Sequence, residues 1–80
     1  MNKYEKAICK VLIEARKNRS MSQKMLAEKM GISAQQLSKY ERGVNRISVL
    51  TFCCLADAIG LEAYEFLGVL SNEIKNDKTN

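Results

Sequence analysis

Eighty residues carrying a formal net charge of +4 leave room for one domain, and a chain this short hides only roughly 60% of its unfolded surface. Four glycines, no proline and an abundance of Ala, Leu, Lys, Glu, Met and Gln favour helices over sheet. No apolar run nears the roughly 18 residues that span a bilayer, and the opening stretch MNKYEKAICKVLIEARKNR is broken by charge every few positions, which excludes a signal peptide and points to the cytoplasm.

The first helix is expected over residues 3–19, where Tyr4, Ala7, Ile8, Val11, Leu12 and Ala15 keep the i, i+3, i+4 spacing of one buried stripe. One local pattern then recurs. Met21-Ser22 is followed by Leu26, Ile32-Ser33 by Leu37, and Ile47-Ser48 by Phe52. Each is an apolar residue, a capping serine and a second apolar residue at the staple position, which fixes how a chain begins a helix. Gln36 lies three residues after Ser33 and would complete a capping box there. A weaker start has Leu61 before Glu62 and Phe66 after it, with glutamate as an inferior cap. Gly31, Gly43 and Gly60 follow the helical runs, where a left-handed residue ends a helix. The expectation is an all-α domain over residues 1–70 with five helices, at 3–19, 23–30, 34–42, 49–59 and 63–70. The polar residues 71–80 are expected to form a frayed tail. No repeat, linker or low-complexity segment interrupts this order.

Only Gly-Ile-Ser separates the second helix from the third, a turn short enough to fold two helices steeply across each other as a helix-turn-helix. The charge is concentrated around it. From Arg16 to Arg46, Arg16, Lys17, Arg19, Lys24, Lys29, Lys39, Arg42 and Arg46 face only Glu28 and Glu41, a balance of +6. From Ile47 onward the balance reverses to −3, with Lys75 and Lys78 against Asp57, Glu62, Glu65, Glu73 and Asp77. One part of the chain is built to face a polyanion and another is not.

The stretches SQKMLAEKMGISAQQLSKYERG and ISVLTFCCLADAIGL resemble the helix-turn-helix family of phage repressors and Cro proteins, the Xre family, over nearly all of residues 4–67. The resemblance implies a five-helix phage-repressor-like DNA-binding domain, a bacterial or phage origin, and a transcriptional regulator acting most often as a repressor. It also implies that Gln23 holds a DNA phosphate, and that Arg16 and Glu41 form a buried ion pair locking the first helix to the third. Three positions depart from the family pattern. Ser20 stands where glycine is usual, Ile47 where proline is, and Glu62 where a small polar cap is. Ala34 stands where several phage repressors carry a glutamine, so their operator sequence does not transfer.

With Leu37 pointing inward on a helical wheel, Tyr40 and Glu41 flank it, while Gln35, Ser38, Lys39 and Arg42 point away, with Ala34 and Gln36 at the borders. Gln side chains can pair with adenine N6 and N7, Lys with guanine O6 and N7, and an alanine methyl can touch that of thymine. The base-reading candidates are therefore Ala34, Gln35, Gln36, Ser38 and Lys39. A solvated helix face would also be polar, but Glu41 is the sole acid between Lys29 and Arg46. Ser22, Gln23 and Ser33 at helix starts, with Arg42 and Arg46 just past the third helix, are the phosphate candidates.

The three cysteines, Cys9, Cys53 and Cys54, are odd in number, and Cys53 and Cys54 are adjacent, which suits a reducing compartment rather than a disulfide framework. Cys9 and Cys53 fall on apolar helix faces and read as small core residues, Cys54 as a border position. With no histidine and no Cys-x-x-Cys spacing, no metal site is expected, and neither a cofactor nor a small-molecule ligand is evident. Asp57, Glu62 and Glu65 have no nucleophile partner or glycine-rich phosphate loop, so enzymatic activity is not expected. Phe66, Leu67 and Leu70, with Val69 and Ile74, exceed what one small core covers once Val49, Phe52, Leu55 and Ile59 are inside. A homodimer through the fifth helix, on a palindromic or pseudo-palindromic operator in double-stranded DNA, is the expectation. The alternative is the antitoxin half of a toxin–antitoxin pair, a docking partner that also binds its own operator.

Overall fold

Helix starts are decided by which side chain replaces the missing intrahelical acceptors of the first turn. In the computed structural model, which describes residues 1–76, Asn2 opens α1 (Lys3–Asn18). Its Oδ1 accepts from the Glu5 amide at 2.8 Å, and the Asn2 amide donates to the Glu5 carboxylate at 3.1 Å, a reciprocal capping box. Ser22, Ser33 and Ser48 open α2 (Gln23–Met30), α3 (Ala34–Glu41) and α4 (Val49–Ile59), as the serine pattern predicts. Each hydroxyl accepts from the amide three residues on, at 3.1, 3.0 and 3.1 Å. The box expected at Ser33 is only half made, because the Gln36 carboxamide donates instead to the Tyr40 hydroxyl at 3.3 Å. At α5 (Ala63–Asn76) the Glu62 amide donates to the Glu65 carboxylate at 3.0 Å, which compensates for the poor cap.

The core takes one fully buried large side chain from every helix: Leu12, Leu26, Leu37, Leu55 and Phe66. Phe66 stacks on Phe52 with ring centroids 4.6 Å apart, which ties α5 to α4. Helix α1 packs against α3, α4 and α5, and α2 against α3 and α4, so the short α2 and α3 are held from behind by the longer elements. Among the described residues no helix is long and apolar enough to cross a membrane.

Several expectations are corrected. The fifth helix does not stop at residue 70 but runs to Asn76, because Ile74 continues the Phe66–Leu70 stripe half-buried and Glu73 pairs with Lys10 of α1 at 3.1 Å. Residues 77–80 of the expected tail lie outside the described residues. Phe66, assigned to a dimer surface, is wholly consumed by this chain's own core. Val49 and Cys53 face outward rather than into the core, since Phe52, Leu55, Ala56 and Ile59 fill the inward arc of α4. Tyr4 at the start of the first helical stripe is likewise exposed, whereas Ala7, Val11, Leu12 and Ala15 are buried as expected.

Candidate nucleic-acid interface

The turn between α2 and α3 is fixed by backbone. Gly31 sits at φ 71°, a left-handed conformation that side chains disfavour. It lets the Ile32 amide reach back to the Ala27 carbonyl at 3.0 Å and the Gly31 amide to Glu28 at 3.1 Å. Ser33 then caps α3 at once, and Leu26 and Leu37 close the space between the two helices. The helix-turn-helix is therefore fastened by hydrogen bonds and buried leucines on both sides of the turn.

Outward from Leu37, Ala34, Gln35, Lys39 and Arg42 are exposed and share one face of α3. Gln36 and Ser38 are half-buried and already engaged, Gln36 with Tyr40 and Ser38 by accepting from Arg42 Nε at 3.2 Å. The face thus offers one carboxamide, one ammonium and one methyl without a partner among the described residues, beside a guanidinium steadied along the helix. The single acid of α3 is turned away: Glu41 is buried.

Glu41 lies at the junction of three helices. Arg16 Nε donates to its Oε2 at 2.7 Å and Arg16 Nη2 to its Oε1 at 3.1 Å, the ion pair that the sequence resemblance implied. Arg16 Nη1 also donates to the Met21 carbonyl at 2.9 Å, which pins the residue before the α2 cap. Removing one partner would strand the other charge inside the fold, at about 3–5 kcal/mol. Gln23 completes the cluster by donating from Nε2 to Glu41 Oε1 at 2.9 Å. That bond spans eighteen positions of sequence, and no local pattern could have revealed it.

The remaining phosphate candidates stand at helix ends, except Arg46, which lies in the loop before α4 and reaches toward Glu5 of α1. Ser22 and Ser33 use their oxygens as cap acceptors, which leaves each hydroxyl hydrogen available to an anion at a helix N-terminus. Arg42 closes the C-terminal end of α3, and Arg46 is almost wholly exposed, its Nε 4.0 Å from Glu5. Lys24, one residue into α2 and exposed, was not singled out from sequence although the basic balance around the turn contains it.

A second surface is apolar. Val49 and Leu50, 80% and 79% exposed at the start of α4, join Tyr64 and Leu67 of α5, with Leu70 half-buried behind them. Between α4 and α5 a groove of about 490 Å³, lined by Val49, Phe52, Cys53, Tyr64, Leu67 and Leu70 among others, holds almost no polar atoms. Cys54 is exposed too, while Cys9 is buried and donates weakly to the Tyr40 carbonyl at 3.6 Å. Burial, with Glu5 and Glu41 nearby, raises the Cys9 pKa, so this thiol stays protonated and unreactive at neutral pH. Among the described residues no group of three or more Cys, Asp or Glu could hold a metal ion.

A helix-turn-helix family model matches residues 12–66. An uncharacterized HTH-type transcriptional regulator of Sinorhizobium fredii is 32% identical over 65 residues, covering 81% of this chain and 46% of that protein. Another from Rickettsia conorii is 36% identical over 59 residues, covering 74% and 47%. The chain spans about half the length of the curated relatives it matches. Among solved structures, an XRE-family like protein from Pseudomonas syringae pv. tomato superimposes with a TM-score of 0.79 at 30% identity, covering 86% of this chain and 84% of that one. The clp gene regulator ClgR from C. glutamicum gives 0.82 over 99% of this chain and 100% of its own, a likeness of fold alone at 20% identity. With five helices, a short glycine turn between the second and third and a match across most of its length, the chain belongs to the Cro/C1-type, or Xre, helix-turn-helix family of DNA-binding transcription regulators.

Proposed function

We propose that this chain binds double-stranded DNA sequence-specifically through α3 and acts as a dimeric transcriptional regulator, a repressor in its simplest form. The observation that carries the reading is the outward face of α3, which is exposed, basic and free of acid because Glu41 is turned into the fold. In this reading Gln35 and Lys39, one helical turn apart, meet neighbouring base edges in the major groove, and Ala34 offers its methyl to a thymine. Gln36 and Ser38 contribute less, since each already holds an internal hydrogen bond. Ser22, Gln23, Ser33, Arg42 and Arg46 grip the flanking phosphates.

Two copies joined through the apolar surface of α5 and the start of α4 would place their α3 helices about 34 Å apart, one DNA turn, on a palindromic or pseudo-palindromic site. Leu67 and Leu70 remain in that proposed interface, with Val49, Leu50 and Tyr64 beside them. A regulator of this kind works in the cytoplasm.

The experiment is a selection of bound duplexes from random DNA, followed by salt titrations of variants on selected and scrambled sites. Gln35→Ala and Lys39→Ala are expected to cost about 1–3 kcal/mol on the selected site and far less on scrambled DNA. Arg42→Ala and Arg46→Ala are expected to weaken both alike and flatten the salt dependence by about one unit of slope for each phosphate no longer neutralised. Equal losses on both duplexes for Lys39→Ala would make Lys39 a clamp and leave base reading to Gln35. No sequence enrichment in the selection would sink the specific-binding reading.

A further inference from the structure

Gln23 begins α2, and its carboxamide is tied to a carboxylate that belongs to α3 and is neutralised by an arginine of α1. The identity of the atoms follows from electrostatics. Glu41 can only accept, so the carboxamide must turn its NH2 group, not its oxygen, toward Glu41 Oε1. That oxygen accepts from Arg16 Nη2 at 3.1 Å and from Gln23 Nε2 at 2.9 Å together. Once one N–H is committed to Glu41, the second N–H of the planar amide lies at about 120° from it, on a half-buried side chain at the first position of α2.

We propose that Glu41, held by Arg16, is a positioning residue for DNA binding: it orients the Gln23 carboxamide so that its free N–H is presented to a backbone phosphate. The proposal rests on the reading of Gln23 as a phosphate contact and adds how that contact is prepared. A glutamine free in solution explores many rotamers, and freezing one upon binding opposes affinity. Here the rotamer is already chosen in the free protein. The Arg16 charge has a second consequence, because an unpaired Glu41 carboxylate so close to the contact would repel the phosphate. Arg16 also donates to the Met21 carbonyl, so one guanidinium fixes the start of α2, the end of α3 and the orientation of the side chain between them.

The test is a double-mutant cycle on DNA affinity. Gln23→Ala is made in the native chain and in an Arg16→Met/Glu41→Leu background, since replacing a buried pair by apolar residues generally preserves a fold where breaking it does not. Anisotropy titrations use a labelled duplex, with salt varied and folding checked by thermal melts. In the native chain Gln23→Ala is expected to weaken binding about tenfold, with an unchanged salt slope because a neutral amide releases no counterion. In the apolar background the same substitution should cost no more than about twofold, because the amide is no longer prepared. An equal loss in both backgrounds would overturn the relay and leave Gln23 as an independent clamp. No loss in the native chain would remove Gln23 from the interface and the relay with it. No duplex binding by the native chain at any salt would instead remove the DNA-binding reading itself. A measurement on the native free protein covers failure of the apolar background to fold. Nitrogen relaxation of the Gln23 side-chain NH2 should give an order parameter near that of rigid backbone, about 0.85, and a value below about 0.6 would overturn the proposal.

Discussion

Ser20 holds a φ of 55°, the one positive value at a residue other than glycine among the described residues. It sits between the end of α1 and the cap of α2, where its amide donates to the Lys17 carbonyl at 2.9 Å and the Met21 amide to Arg16 at 3.2 Å. That left-handed turn costs an L side chain about 1–2 kcal/mol. Ser20→Gly removes the strain and returns part of the gain as unfolded-chain entropy. The expected outcome is a rise of about 0.5–1 kcal/mol in unfolding free energy by urea titration. A fall would mean that the serine side chain holds the turn by a contact of its own. This strain was legible through the resemblance, because a serine stands where the family often carries glycine. The Arg16–Glu41 pair was legible only through the resemblance, since nothing local links residues twenty-five positions apart. Gln23 shows the limit of such reading: its place at a helix start makes it a candidate for an anion contact, but its bond to Glu41 exists only after three helices pack.

Helix starts and stops were readable because a cap and its partner lie within four residues, and the chemistry is the same wherever the chain goes afterwards. The boundaries at Ser22, Ser33 and Ser48 stand for that reason. The end of α5 was not readable, because what continues it is on another element. The sequence SNEIKN is polar by composition, yet Ile74 falls one turn beyond Leu70 and both line the hollow beside Ile8 and Cys9 of α1. Lys10 and Glu73 close the same seam from the solvent side. Burial and charge can be separated here by substitution. Ile74→Ser is expected to cost about 1 kcal/mol and to speed amide exchange over residues 71–76. Glu73→Gln, which removes only a solvent-screened ion pair, should cost less than about 0.5 kcal/mol. The reverse ranking in denaturant titrations would assign the last two turns to electrostatics instead.

At the scale of the molecule, the sequence asymmetry of charge becomes an asymmetry of surfaces: a basic face on α3 and an apolar one on α4 and α5. A hydrophobic count from sequence foresaw excess apolar side chains on α5 but placed Phe66 among them and Val49 inside. Which of two apolar neighbours faces the core depends on the angle at which α5 crosses α4, and Phe66 takes the inner place by stacking on Phe52. Among the apolar side chains left outside on α4 and α5, Val49, Tyr64 and Leu67 line one groove, an exposed apolar surface of the kind that marks an interaction site. If two copies meet there, Leu67→Glu sets two like charges against each other across the axis, because a twofold interface brings each patch onto its own copy. The substitution should leave the fold intact, since Leu67 is more than half exposed. Sedimentation at high protein concentration should then show the variant as a monomer where the native chain is a dimer. The melting temperature of the native chain should rise with concentration, and that of Leu67→Glu should not. Operator affinity should fall steeply for the variant while the affinity for an isolated half-site stays unchanged, because the two α3 helices are no longer linked although each still meets its own half-site. A native chain that sediments as a monomer at high concentration, with or without DNA, would leave this patch without a second copy as its cover.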